Sequence, residues 1–171
     1  MKKAIVIGCP GAGKSTFARK LRDKTGLPLW YLDRLFWRAD GTSVPREEFD
    51  AALDGVLQGD EWIIDGNYGR TLEKRLSCCD TVFLFDLPVE SCLAGAAARI
   101  GTVREDLPWV EKEFDPDFRQ WIEEFPTEQL PGVYQKIEAC TANAEIVIFH
   151  SHAEADAWLD AFCNEKGETN E

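Results

Sequence analysis

The apolar run Ala4–Ile7 leads directly into Gly8-Cys-Pro-Gly-Ala-Gly-Lys-Ser15, and this junction constrains the fold more than any other feature of the chain. It satisfies the pattern G-x-x-x-x-G-K-[ST] in the context the pattern requires, a short strand before it and a helix after it. The glycines Gly8, Gly11 and Gly13 keep the loop free of side-chain bulk. Successive N–H groups can then turn inward onto phosphate oxygens at the positive end of a helix. The loop residues Gly8, Cys9, Pro10, Gly11, Ala12 and Gly13 are expected to wrap a triphosphate. Lys14 would reach its β- and γ-phosphates, the Ser15 hydroxyl would ligate Mg²⁺, and Thr16 would donate to the α-phosphate. The expected ligand set is ATP or GTP with Mg²⁺.

The rest of the chain repeats the strand-then-helix rhythm. After a helix at about Gly13–Lys24, the run Leu27–Leu32 reads as a second strand ending at Asp33. Pro45, Glu47 and Glu48 signal a helix start, with acids in the first turn where the helix dipole favours them. The runs Glu61–Asp65, Thr81–Phe85 and Glu145–Phe149 supply three more strands, and Pro88–Ile100 reads as a helix. Ser151 and Glu154 stand at capping-box spacing before a last helix reaching Phe162. Five strands alternating with helices predict a three-layer α/β domain around a parallel sheet, with ligands gathered at the carboxyl ends of the strands. Residues 101–135 interrupt the rhythm: they are acidic, punctuated by proline and rich in aromatics. They read either as a lid or as a helical pair covering the sheet edge. One domain over residues 1–165 is expected, followed by a flexible tail at 166–171.

Composition narrows the function classes. The net charge of −12 repels another polyanion, so direct nucleic-acid binding is disfavoured, while a local pocket of arginines and amides can still hold a small anion. The apolar stretch at the start is shorter than the roughly 7–15 residues of a signal-peptide core. No run approaches the ~18 apolar residues of a membrane span. The six cysteines include no Cys-x-x-Cys pair and there are only two histidines, a pattern that reads as reduced thiols in a cytoplasmic protein with no zinc site.

Two strands end in an acid suited to a metal shell. Asp65 is preferred over Asp86, because Gly66–Thr71 behind it supplies glycines for close approach and an arginine for phosphate, whereas Asp86 precedes Pro88 in the manner of a helix cap. Asp33 reads as an acceptor ligand or general base, or else as a cap for the following turn. Trp30, Tyr31, Phe36, Trp37 and Tyr68 either stack on a base or fill the core, and Arg34 and Arg38 either bind an anion or are solvated.

Taken together, Gly8–Ser15, the strand end at Asp33, the block Asp65-Gly-Asn-Tyr-x-Arg-Thr71, Phe85–Pro88 and the pair Arg99 and Arg104 resemble the adenylate-kinase-like P-loop proteins called topology modulation proteins. The resemblance runs over nearly the whole chain and implies a five-stranded sheet of order 2-3-1-4-5, an acceptor-binding helical arm after the second strand and a helical lid after the fourth helix. It gives Arg70 the grip on an acceptor phosphate, Arg99 a place on the donor base and Arg104 the transferring phosphoryl group. The activity implied is that of a small-molecule or nucleotide kinase, with a nucleotide or nucleoside acceptor favoured. The alternative is a nucleotide-responsive regulatory protein linked to DNA topology, with little turnover. It draws on Arg99 and Arg104 standing five apart, where lid arginines of the wider family stand four apart.

Overall fold

A computed structural model describes residues 1–141 and 143–167, with side chains up to residue 162. Five strands form one parallel sheet: β1 (Lys3–Gly8), β2 (Leu29–Tyr31), β3 (Trp62–Asp65), β4 (Thr81–Phe85) and β5 (Glu145–Phe149). Their order is β2-β3-β1-β4-β5, as the resemblance implied. The central strands β3 and β4 are buried along their whole length and β1 nearly so, which is why they read as unbroken apolar runs rather than alternating ones.

The period of two sorts each strand's residues between two cores. Ala4, Val6, Ile63, Phe83 and Phe85 face α1 (Lys14–Thr25), α5 (Val89–Ala98) and α8 (His152–Gly167), where Phe17, Leu21, Cys92, Ala96 and Leu159 meet them. Ile5, Ile7, Ile64, Val82 and Leu84 face the opposite side. There they pack on α3 (Arg46–Leu57), α4 (Leu72–Leu76) and α7 (Leu130–Cys140) through Leu53, Leu57, Leu72, Leu76, Val133 and Ile137. Each such side chain contributes roughly 1.5–3 kcal/mol when fully buried, so both faces must be covered.

Several boundaries differ from the sequence reading. β2 is only three residues long, and Leu32 already opens a short helix, α2 (Leu32–Phe36). The cause lies in its neighbour: Tyr31 pairs with Asp65, the last residue of β3, so the ladder has nothing further to pair with. Asp33 therefore stands in the first turn of a helix instead of at a strand end. At the start of α8 the Glu154 N–H donates to Ser151 Oγ (3.2 Å), but the Glu154 carboxylate accepts from the His150 N–H (2.7 Å), one residue earlier than a standard box. Of the tail expected at 166–171, residues 168–171 lie outside the described residues, and Gly167 closes α8.

The stretch 101–135 is divided between an irregular part and two helices. Residues 101–115 are irregular and lie over the carboxyl end of the sheet. Asp115 then caps α6 (Pro116–Glu124), accepting from the Asp117 and Phe118 N–H groups at 2.8 and 3.1 Å. A π-helical turn over Phe125–Gln129 carries α6 into α7. α6 packs on α5 and α7 on α4, so these helices belong to the flanking layers, although α6 also turns Phe118 and Trp121 toward the site that residues 101–115 cover. Among the described residues no helix is long and apolar enough to cross a membrane.

Candidate active site

The phosphate loop bridges β1 and α1 with Gly8, Gly11 and Gly13 all at positive φ. At Gly11 the requirement is also steric: a Cβ there would lie 2.0 Å from the Cys92 carbonyl oxygen, and one on Gly95 would lie 2.0 Å from the Gly11 carbonyl oxygen. The backbone of α5 is pressed onto the loop, and Cys92 and Gly95 fix its shape as firmly as the loop's own glycines. From α8, His152 Nε2 comes within 3.1 Å of the Ala12 carbonyl oxygen on the loop's other flank.

Inside the loop, Lys14 Nζ donates to the Cys9 carbonyl oxygen at 2.8 Å. Burial lowers the affinity of Lys14 for its proton, and the neighbouring Asp65 carboxylate opposes that shift. Ser15 Oγ donates to Asp65 Oδ2 at 2.5 Å, while Asp65 Oδ1 is buried without a partner among the described residues. Burial pushes the Asp65 carboxyl up to about 6, against the pull of Lys14 and Ser15. A partnerless carboxylate oxygen beside a serine hydroxyl suits a hard cation, and Mg²⁺ commonly binds through one or two protein groups while phosphates and water complete its shell. Asp86 is engaged elsewhere, accepting from the Tyr134 hydroxyl at 2.7 Å with His150 beside it.

Across the same cavity of about 820 Å³ lies Asp33, whose carboxylate accepts from the Tyr68 hydroxyl at 2.7 Å. Burial raises the Asp33 carboxyl above its ordinary value and the Tyr68 bond partly offsets this. Tyr68 is the single non-glycine residue at positive φ (24°) among the described residues. Its ring stacks on Phe49 and leans on Phe36, which holds the strained turn from one side. Arg75 of α4, wholly buried, holds it from the other by donating to the carbonyl oxygens of Gly66 (2.9 Å), Asn67 (2.7 Å) and Tyr68 (3.0 Å).

Of the three arginines to which the resemblance gives roles, two come to the cavity and one does not. Arg99, at the end of α5, lines it with a buried Nε that has no partner among the described residues. Arg104 lines it too, but is clasped by Asp106 and by Glu111 (2.8 Å). Arg70 faces away: the 3₁₀ turn Gly69–Thr71 directs it to Asp50 of α3 (2.5 Å), beside a separate cavity of about 390 Å³. Arg34 donates to the Glu105 carbonyl oxygen, and the exposed Arg38 faces Glu48. Of the aromatic candidates, Tyr31, Trp37 and Tyr68 line the main cavity, Phe36 lines the second, and Trp30 lies 42% exposed outside both. Residues 101–121 add Trp109, Phe118 and Trp121 to the main cavity, and Trp109 meets Trp37 edge to face at 6.0 Å. Glu105 ties the covering segment down, accepting from Arg22 (2.5 Å) and the Tyr31 hydroxyl (3.1 Å).

Sequence reasoning passed over Arg75, Gly95 and His152. A signal existed for Arg75, which shares a helix face with the buried Leu72 and Leu76, where a charge is out of place unless it has work there. None existed for Gly95 or His152, whose roles arise from contacts with residues some 80 or more positions away.

The sheet order, the loop and the carboxylate beneath it define a P-loop kinase-like fold. No family model matches the sequence. Over 88 residues, half of the chain, it is 27% identical to an adenylate kinase of Thermotoga neapolitana, the match spanning 39% of that enzyme's length. The whole fold is similar to a shikimate kinase from Bacteroides thetaiotaomicron, with a TM-score of 0.64 and 14% identity over 96% of this chain and 97% of that one. It is similar also to a gluconokinase from Sinorhizobium meliloti 1021, with a TM-score of 0.54 and 12% identity over 99% and 98%. At such identities the structural likeness is one of fold.

Proposed function

We propose that the protein is an ATP-dependent phosphotransferase acting on a small hydroxylated acceptor. The observation that carries this reading is one cavity in which two of the lining carboxylates have different surroundings: Asp65 against Ser15 beneath the phosphate loop, and Asp33 against Tyr68 across from it. The first suits a metal-bound triphosphate and the second suits a hydroxyl.

In this reading the loop amides and Lys14 hold the β- and γ-phosphates, and Ser15 with Asp65 would hold Mg²⁺, which supplies charge neutralisation on the phosphate oxygens. Asp33 orients the acceptor hydroxyl and takes its proton as the oxygen forms a bond to the γ-phosphorus. The bond from that phosphorus to the β–γ bridging oxygen breaks, and ADP leaves. Arg99, with its partnerless Nε, offers charge to the triphosphate at once. Arg104 would do so by exchanging Asp106 and Glu111 for phosphate oxygens. Residues 101–115 act as the lid that excludes water. The test is a panel of nucleosides, nucleoside monophosphates, sugars and cyclic alcohols incubated with ATP and Mg²⁺, read by ³¹P NMR for ADP and a new phosphoester. ATP binding with no phosphoester from any acceptor overturns it.

The finer resemblance to topology modulation proteins rests on the sequence blocks around Asp65–Thr71 and Arg99–Arg104. Its regulatory alternative draws on the clasped Arg104 and on Glu105, which anchors the covering segment to Arg22 and Tyr31. That alternative predicts ATP-dependent reordering of residues 101–115 without turnover.

A further inference from the structure

An anionic acceptor requires a cation that is free to meet it, and the acceptor side of the cavity offers little. Lys14 lies within the phosphate loop, hydrogen-bonded to Cys9, and serves the triphosphate. Arg99 lines both the main cavity and the adjoining one of about 520 Å³ that runs along Gly11, Gly13 and Thr16, so it too stands on the donor side. Arg104 is neutralised twice, by Asp106 and by Glu111, all three side chains being at most 17% exposed. Arg70 is held by Asp50 beside the second cavity. What remains on the acceptor side is acidic, Asp33 and Glu111 above all, with the exposed Lys112 at the rim.

The same walls are aromatic. Trp37, Tyr68, Trp109 and Trp121 line the cavity, and such faces take up a flat ring whatever its substituents. Trp109 Nε1 is buried and has no hydrogen-bond acceptor among the described residues, so it is a neutral donor available to a ring nitrogen or carbonyl oxygen of a ligand. The cavity of about 820 Å³ has room for a ring of nucleoside size next to the transferring phosphoryl group.

Resting on the phosphotransfer reading above, we propose that the acceptor is an uncharged, hydroxyl-bearing compound built on a flat ring, of nucleoside size, and that the cavity rejects acceptors carrying a phosphate or carboxylate. Rejection follows from charge: Lys112 stands out at the exposed rim and Arg99 on the donor side, so a phosphate brought beside Asp33 is repelled unless Arg104 is withdrawn from Asp106 and Glu111. The neutral acceptor has only to displace water from aromatic faces and present its hydroxyl to Asp33.

The test uses matched pairs: adenosine, cytidine and thymidine against their 5′-monophosphates, titrated calorimetrically into the full chain with the donor site filled by Mg²⁺ and a non-hydrolysable ATP analogue, and repeated without the analogue. At least one nucleoside is expected to bind tenfold or more tightly than its own monophosphate. Glu111→Gln is expected to narrow that gap by releasing Arg104 and removing an acid. Trp109→Phe, which keeps a ring and removes the N–H, is expected to weaken the nucleoside severalfold and leave the analogue's affinity unchanged. Equal or tighter binding of the monophosphates overturns the inference, as does failure of every nucleoside to bind. Parallel ³¹P NMR with ATP separates the two levels: selective nucleoside binding with no phosphoester formed sustains the acceptor selectivity and defeats phosphotransfer.

Discussion

Replacing Arg75 with methionine tests whether the turn carrying Tyr68 is held in place by one buried cation. The arginine is 0% exposed and makes three hydrogen bonds, all to backbone carbonyl oxygens of Gly66–Tyr68. Bonds from a charged donor contribute roughly 1.5–3 kcal/mol each, so together about 4.5–9 kcal/mol. Burial opposes them: it lowers the guanidinium from 12.5 to about 10, a cost of about 3.5 kcal/mol at about 1.4 kcal/mol per tenfold. The difference predicts that Arg75→Met destabilises the protein by about 1–5 kcal/mol, read from urea denaturation at neutral pH, where the wild-type side chain is still charged. Arg75→Lys, which keeps the charge but reaches fewer carbonyls, should lose less. In both variants Tyr68 is freed from its positive φ and its hydroxyl drifts from Asp33, so acceptor affinity should fall tenfold or more, equivalent to about 1.4 kcal/mol. ATP affinity should change far less, because among the described residues a single hydrogen bond, from the Gly8 N–H to Asn67 Oδ1 at 3.3 Å, joins the phosphate loop to this turn. A variant as stable as wild type, or one losing ATP and acceptor affinity equally, refutes the reasoning.

Lys14→Ala should leave the fold intact and weaken ATP binding in calorimetry, since it removes a charge from the β- and γ-phosphates. Asp65→Asn should abolish most of the Mg²⁺ dependence of ATP affinity while Asp86→Asn, which disturbs only the contacts to Tyr134 and His150, leaves it in place; the reverse order would exchange their roles. Tyr68→Phe keeps the ring on Phe49 but removes the bond that favours ionised Asp33, so the Asp33 carboxyl, already raised by burial, should rise further. The acid limb of the kcat/KM profile then moves to higher pH, and an unmoved limb would remove Asp33 from the proton-transfer step. Gly95→Ala places a carbon 2.0 Å from the Gly11 carbonyl oxygen, against backbone that cannot yield cheaply, and should cost both thermal stability and ATP affinity despite lying far along the chain from the loop.

The sequence by itself determined what is local. A strand, a glycine-rich turn, a lysine and a helix follow one another without a gap, so the phosphate loop was legible from Gly8–Ser15 alone. The continuous apolarity of β1, β3 and β4 announced a sheet buried on both faces, and the sequence set Asp65 ahead of Asp86 on the block directly behind it, whose Arg70 then turns to Asp50. Tertiary structure decided whatever depends on where one turn points and on which distant group meets it. A single 3₁₀ turn sends Arg70 to Asp50 and out of the main cavity, while Arg75 on the next helix becomes the buried one. Asp33 became a helical residue because its ladder ran out at Asp65, a fact belonging to a strand 30 residues further on. Arg104 lost its free charge to Asp106 and Glu111, near neighbours that an irregular segment folds back onto it, and Gly95 acquired its necessity from Gly11 through a contact that no local pattern encodes. Propensity and periodicity act over a few residues, whereas the charge and shape of a cavity are sums over side chains brought together only when the sheet is assembled.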